Sequence, residues 1–171
     1  MSIRPITTAL AAVAVAVSGV LALTAGPALA LPGFGTAPVA GGAAPVTVTG
    51  VTVGSHPGFD RVVFTSTAAI SSWEVRYVPQ VTQDPTGAPL PLLGAADILV
   101  VVHGTDWISH PSAQANLSPG LPALRQVRGA GEFEATQSYG IGQQRKAGFR
   151  VFTLTGPERL VIRGRGRAVQ D

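Results

Sequence analysis

From Val46 onward the chain alternates apolar and polar residues with a period of two, the pattern of a strand with one buried face. "VTVTGVTVG" puts Val46 and Val48 on one face, with Val51 and Val53 out of phase with them. Gly50 sits at the slip, so a β-bulge or bend is expected there. "RVVFTS" follows, then "SWEVRYV", in which Trp73, Val75 and Tyr77 face one way. Glu74 and Arg76 face the other way and can pair along the strand. Alternation with Val75 assigns Trp73 to the core. "DILVVVH" is apolar on both faces and reads as a central strand. "GEFEATQSYGIG" sets Phe133, Ala135 and Tyr139 against Glu132, Glu134 and Ser138, and "GFRVFTLTG" and "RLVIRG" complete the set.

The connections carry turn chemistry. In "SHPGFDRVVF", Pro57 fixes φ for the second position of a type II turn and Gly58 supplies the positive φ of the third. Asp60 then stands at the head of the next strand, able to accept from the turn amides or to pair with Arg61. Asp84, Pro85 and Gly87 occupy turn positions in "PQVTQDPTGAPLP", and "GPE" makes a tight turn between the last two strands. Ser118-Pro119 caps a short helix expected to begin at "PGLPALRQV". The sum is an all-β fold, a small antiparallel β-sandwich of about seven or more short strands with at most one short helix. No internal repeat is present.

The segments outside this pattern set the compartment. Residues 1–30 read as a signal peptide, with Arg4 as the positive start, Ala9 to Leu23 as the apolar run and Ala28-Leu29-Ala30 as the cleavage signal. The alternative is an uncleaved anchor, since about 18 apolar residues nearly span a bilayer. Cleavage leaves no membrane span. Residues 31–45, "LPGFGTAPVAGGAAP", contain seven Gly or Pro and no charge, and read as a flexible linker. The chain has no cysteine, so it carries neither disulfide nor lipid anchor and must stand on its core.

The 12 Lys and Arg against 9 Asp and Glu suggest a basic protein. Setting aside Arg4 and the final "RGRGRAVQD" removes four arginines and Asp171, leaving eight against eight. The excess is therefore expected in a short tail, residues 164–171, rather than on a face. No nucleic-acid reading motif or clustered patch is evident.

Candidate chemistry is sparse. "HGTDWISH" brings His103, Asp106 and His110 within eight residues, yet the spacing fits no established metal motif, so no metal or other cofactor is assigned. Thr52 in "GVTVG" lacks the strand-to-helix turn of a nucleophile elbow. Trp107, on the long loop, and Tyr77, on a strand face, are the aromatic candidates for contacting sugar or protein. His103, Asp106 and His110 join them as ligand-binding candidates, and no catalytic residue is assigned.

The blocks "VTVTGVTVGSHPGFDRVVF", "SWEVRYV", "LSPGLPALRQV", "GEFEATQSYGIG" and "GFRVFTLTGPERLVI", in that order, resemble the AMIN-like domain of secreted proteins and lipoproteins of high-GC bacteria. The resemblance covers most of Val46 to Ile162. It implies a two-sheet sandwich over residues 46–163 without catalytic residues. By analogy with the AMIN domain of cell-wall amidases, it also implies attachment to peptidoglycan or another part of the envelope. The chain departs from the family in lacking a lipobox cysteine and in placing Arg163 and Gly164 where an acidic close is usual. The basic tail this creates could meet anionic wall polymer or lipid. The expectation is thus a secreted, cell-wall-associated, non-catalytic module that binds peptidoglycan, other wall glycan or an envelope protein. The alternative is a small secreted metal-dependent hydrolase using His103, Asp106 and His110.

Overall fold

The computed structural model describes residues 33–41, 47–67, 72–103 and 114–166. Its ten strands are β1 (Val39–Gly41), β2 (Val48–His56), β3 (Phe59–Ser66), β4 (Trp73–Val78), β5 (Ala96–His103), β6 (Asn116–Leu117), β7 (Leu124–Phe133), β8 (Thr136–Gln143), β9 (Phe149–Leu154) and β10 (Arg159–Arg165). They form an antiparallel six-stranded sheet, ordered β1-β4-β5-β8-β7-β6, and an antiparallel four-stranded sheet, ordered β2-β3-β10-β9. There is no helix among the described residues. Phe64, Leu160, Ile162 and Val151 from the smaller sheet meet Val75, Ile98, Val100, Tyr139 and Ile141 from the larger in one buried cluster. Phe64 and Tyr139 cross between the sheets with ring centroids 4.8 Å apart. Each such side chain contributes about 1.5–3 kcal/mol by leaving water, and this core takes the place of the disulfides the chain lacks.

Local sequence explains most of the strands. The register of β2 against β3 shifts between Val48 and Gly50, where the apolar alternation slips. Pro57 and Gly58 form the two-residue β2–β3 loop, with Gly58 at φ +82°. β5 lies between β4 and β8, and its second apolar face is also covered. Leu99 packs with Val78 and Leu92 against buried Val81, Leu90 and Ala130, many of them on the 79–95 connection. That connection sits so close to β8 that a Cβ on Gly142 would run into the Leu93 carbonyl. On β4, Trp73 and Val75 are buried, and Arg76 pairs with Glu74 at 2.9 Å.

Four expectations are corrected. The stretch "PGLPALRQV", expected to be helical, is irregular from Pro119 to Ala123 and then opens β7. Leu124 and Val127 both reach the core at a helix-like spacing of three because a bulge falls between Leu124 and Gln126. "GEFEATQSYGIG" is not one strand but a hairpin. Glu134 and Ala135, at φ +48° and +57°, form the two-residue turn between Phe133 and Thr136. The segment read as a free linker is partly built into the sandwich. Gly35 exchanges two backbone hydrogen bonds with Phe149, at 2.9 and 2.7 Å, and β1 pairs with β4 from Val39↔Val75 to Gly41↔Trp73. The residues assigned to a basic tail begin inside β10, since Gly164 pairs with Asp60 and Arg165 with Phe59. Residues 1–30 and 167–171 lie outside the described residues.

Candidate functional site

Two of the five residues picked from the sequence are described. Tyr77 is half-buried near the end of β4. Its hydroxyl donates to the Ala147 carbonyl at 2.7 Å and accepts from the Ala147 N–H at 3.0 Å. Its ring meets Phe149 edge-on at 5.6 Å, and the Lys146 ammonium lies 5.4 Å from its centroid. Burial raises the phenol pKa above its ordinary value, outweighing the Ala147 hydrogen bond and the positive charge of Arg145. The polar end of Tyr77 thus fastens the β8–β9 connection. His103 is exposed at the end of β5, with Nδ1 3.2 Å from Thr136 Oγ1. Tyr77 pairs with Ile98, so the two candidates stand near opposite ends of the β4–β5 ladder and do not share a site. Asp106, Trp107 and His110 lie outside the described residues. Among the described residues, no group of three His, Cys, Asp or Glu is placed to hold a metal ion.

Asp60 has a structural role. It is 3% exposed, and its Oδ2 accepts from the backbone N–H groups of Ala123, at 2.6 Å, and Leu124, at 2.9 Å. Its Oδ1 accepts from the Ser55 hydroxyl at 2.7 Å. One carboxylate therefore ties the β2–β3 hairpin of the small sheet to the head of β7 in the large one. Both of its oxygens are engaged, three hydrogen bonds in all, which gives the carboxylate a bracing role.

The outer face of the small sheet is different. Alternation on β3, β9 and β10 turns Val62, Val151 and Ile162 inward and Arg61, Arg150 and Arg163 outward. The register makes the three arginines direct cross-strand neighbours, Arg61↔Arg163↔Arg150. Gly54 completes the row on β2. The next row holds His56, Phe59 and Arg165, and the row on the other side holds Thr52, Val63, Val161 and Phe152. Val63 and Val161 are buried although they face outward and are not in the main core cluster. The stems and rings of the flanking residues close over them, as long basic side chains do over apolar surface.

Aromatic rings hold the guanidinium groups. Arg163 lies 4.5 Å from the Phe59 centroid and 4.8 Å from that of Phe152. Arg150 lies 4.6 Å from Phe34, and Arg165 lies 5.6 Å from the same ring. His56 stacks on Phe59 at 4.9 Å with an interplanar angle of 18°. Burial, then the neighbouring charges of Arg150 and Arg61, push the Arg163 pKa down from the ordinary arginine value. The Nε atoms of Arg61, Arg150 and Arg163 are buried without a hydrogen-bond partner, and no ion pair involves these residues among those described. β2, β9 and β10 carry no carboxylate, and the only one on β3, Asp60, points inward.

The expectation that positive charge is confined to a tail is therefore corrected. Adding charge along the chain averaged these arginines against acids that lie elsewhere. The signal was present in "FDRVVF", "FRVF" and "LVIRGR", where the arginines fall on the polar phase of strands the alternation had already identified.

The structure is a two-sheet antiparallel sandwich whose buried carboxylate braces the sheets and whose smaller sheet bears arginines on its outer face. Residues 46–163, more than half of the chain, match the AMIN-like domain family, and the chain belongs to that family. Membership marks a cell-wall-related module of a generally non-catalytic kind. No curated protein matches the chain. Among the described residues no helix is long and apolar enough to cross a membrane.

Proposed function

We propose that the protein is a secreted, non-catalytic binding module of the cell envelope, and that it holds its target on the outer face of the four-stranded sheet. The observation that carries this reading is the row Arg61, Arg163 and Arg150, stacked on phenylalanine rings and without a carboxylate partner among the described residues. Surface arginines usually relieve such crowding with an acidic neighbour or by separating. Here they converge, an arrangement suited to a target that supplies the missing acceptors. The structural hydrogen bonds that hold Asp60 and the Tyr77 hydroxyl support a non-catalytic role. Export rests on the signal-peptide pattern of residues 1–30, and the mature protein is expected to start at Leu31.

Co-sedimentation with insoluble wall sacculi tests the reading. The mature protein should pellet with them. A variant with Arg61, Arg150 and Arg163 all changed to Ala should stay in the supernatant while keeping a cooperative thermal transition. Equal pelleting of the two, or no pelleting of either, refutes the assignment of this face.

A further inference from the structure

We infer that the Arg61–Arg163–Arg150 row recognises phosphate groups, and that its ligand is a flexible polyol-phosphate chain laid across the strands. This rests on the reading that the face is the contact surface, and adds the chemistry of what it contacts.

Neighbouring strands are about 4.8 Å apart, so the three guanidinium groups occupy roughly 10 Å across β3, β10 and β9. Phe59 and Phe152 pack against the Arg163 guanidinium, and Phe34 packs against that of Arg150. Stacking on rings leaves the in-plane N–H edges for a ligand. The row therefore offers donors only. A neutral sugar presents hydroxyls that must donate as well as accept, and the row gives them nothing to donate to. A ligand made of acceptors fits.

Phosphate suits the spacing better than carboxylate. One guanidinium fork already matches both oxygens of a carboxylate. A phosphodiester also has two anionic oxygens, but they project from a tetrahedral phosphorus with lone pairs on several sides, so one group can accept from two adjacent arginines and screen them from each other. Three arginines in a row call for successive phosphates on one chain.

The rings argue against two other phosphate carriers. Base stacking on single-stranded nucleic acid needs open aromatic faces. His56 and Arg163 both pack on Phe59, and Arg163 also lies over Phe152. Insertion into a lipid headgroup layer needs protruding apolar groups, whereas Phe59 and Phe152 are half-buried beneath the guanidinium groups.

The test uses the mature chain and four probes at equal anionic charge: poly(glycerol phosphate), polygalacturonate, a single-stranded oligonucleotide and phosphatidylglycerol vesicles. Binding to poly(glycerol phosphate) should be at least about tenfold tighter than to each of the others. Arg163→Lys keeps the charge but loses the fork, and should weaken that binding about tenfold with an unchanged melting temperature. Each arginine changed to Ala should reduce the slope of log K against log salt by about one. Equal affinity for polygalacturonate, tighter binding to the oligonucleotide or vesicles, or an unaltered Arg163→Lys variant each overturns the inference. Sacculi stripped of phosphodiester-linked polymer by hydrogen fluoride separate the two claims. If they still bind the wild type but not the triple-alanine variant, the face stands and its phosphate chemistry falls. If intact sacculi never bound, the face itself falls.

Discussion

Replacing Asp60 measures how strongly the two sheets are tied. In Asp60→Ala the N–H groups of Ala123 and Leu124 lose their acceptor at positions 5% and 1% exposed. Each orphaned buried donor costs about 1–3 kcal/mol. The Ser55 hydroxyl lies nearer the surface and can turn to water. Two orphans give about 4 kcal/mol, reduced to about 3 kcal/mol because removing the carboxylate also removes the cost of keeping a charge out of water. Asp60→Asn keeps one carbonyl oxygen for both amides, and its NH2 can donate to a rotated Ser55 hydroxyl. Its loss should be about 1–1.5 kcal/mol, the difference between charged and neutral hydrogen bonds. Urea unfolding followed by tryptophan fluorescence reads this directly. With an m-value of about 2 kcal/mol/M, the midpoint should fall by about 1.5 M for Ala and about 0.6 M for Asn, at unchanged slope. A loss below about 1 kcal/mol for Asp60→Ala would mean that water reaches the two amides and the strut is not closed. Equal losses in the two variants would place the effect in the charge rather than in the acceptor geometry.

Other consequences are as direct. The chain has two tyrosines, and burial raises the pKa of both, Tyr139 with a further push from Glu132. The folded protein therefore holds these protons more tightly than the unfolded chain, so stability is full below pH 10 and falls as pH rises beyond it. Absorbance at 295 nm should show less phenolate at pH 10 in the folded protein than in denaturant, and identical native and denatured titrations would contradict the burial. Changing Glu134-Ala135 to Asn-Gly, the pair a type I′ turn favours, should stabilise by about 1 kcal/mol and raise the melting temperature by several degrees. No gain would mean those positive φ values carry no strain. Trp107→Ala should leave sacculus binding within about twofold, or about 0.4 kcal/mol, if the sheet face is the contact. A tenfold loss would move the contact to Trp107 and its sequence neighbours.

The sequence revealed those features whose causes are local. The slip at Gly50, the turn at Pro57-Gly58, the inward set Trp73, Val75 and Tyr77 and the Glu74–Arg76 pair each depend on neighbours within a few residues. The Glu134-Ala135 hairpin had no such sign, because neither residue is the Gly or Asn that usually marks positive φ. β7 imitated a helix because its bulge brings apolar residues to a spacing of three. β1 owes its form to a distant partner, β4, and nothing in "VAG" itself requires it. For the site, each arginine stands in a segment the sequence marks as strand, but nothing in the sequence shows the strand order that makes β3, β10 and β9 adjacent. Tyr77 and His103 were chosen for their chemistry, while hydrogen bonds to Ala147 and Thr136 decide what they do.

The stretch from Gly35 to Gly41 also has a mechanical meaning. It touches the small sheet at Phe149 and the large sheet along β4, and lies upstream of the main strands. With residues 1–30 retained as an uncleaved anchor, tension from the N-terminal side would load these few bonds before it reached the interior. Peeling residues 33–41 away would release roughly 30 Å of slack and leave the buried cluster on the remaining strands, but it would take Phe34 from Arg150 and Arg165. A module held by its face and pulled through a retained anchor would extend at this segment before the sandwich opened.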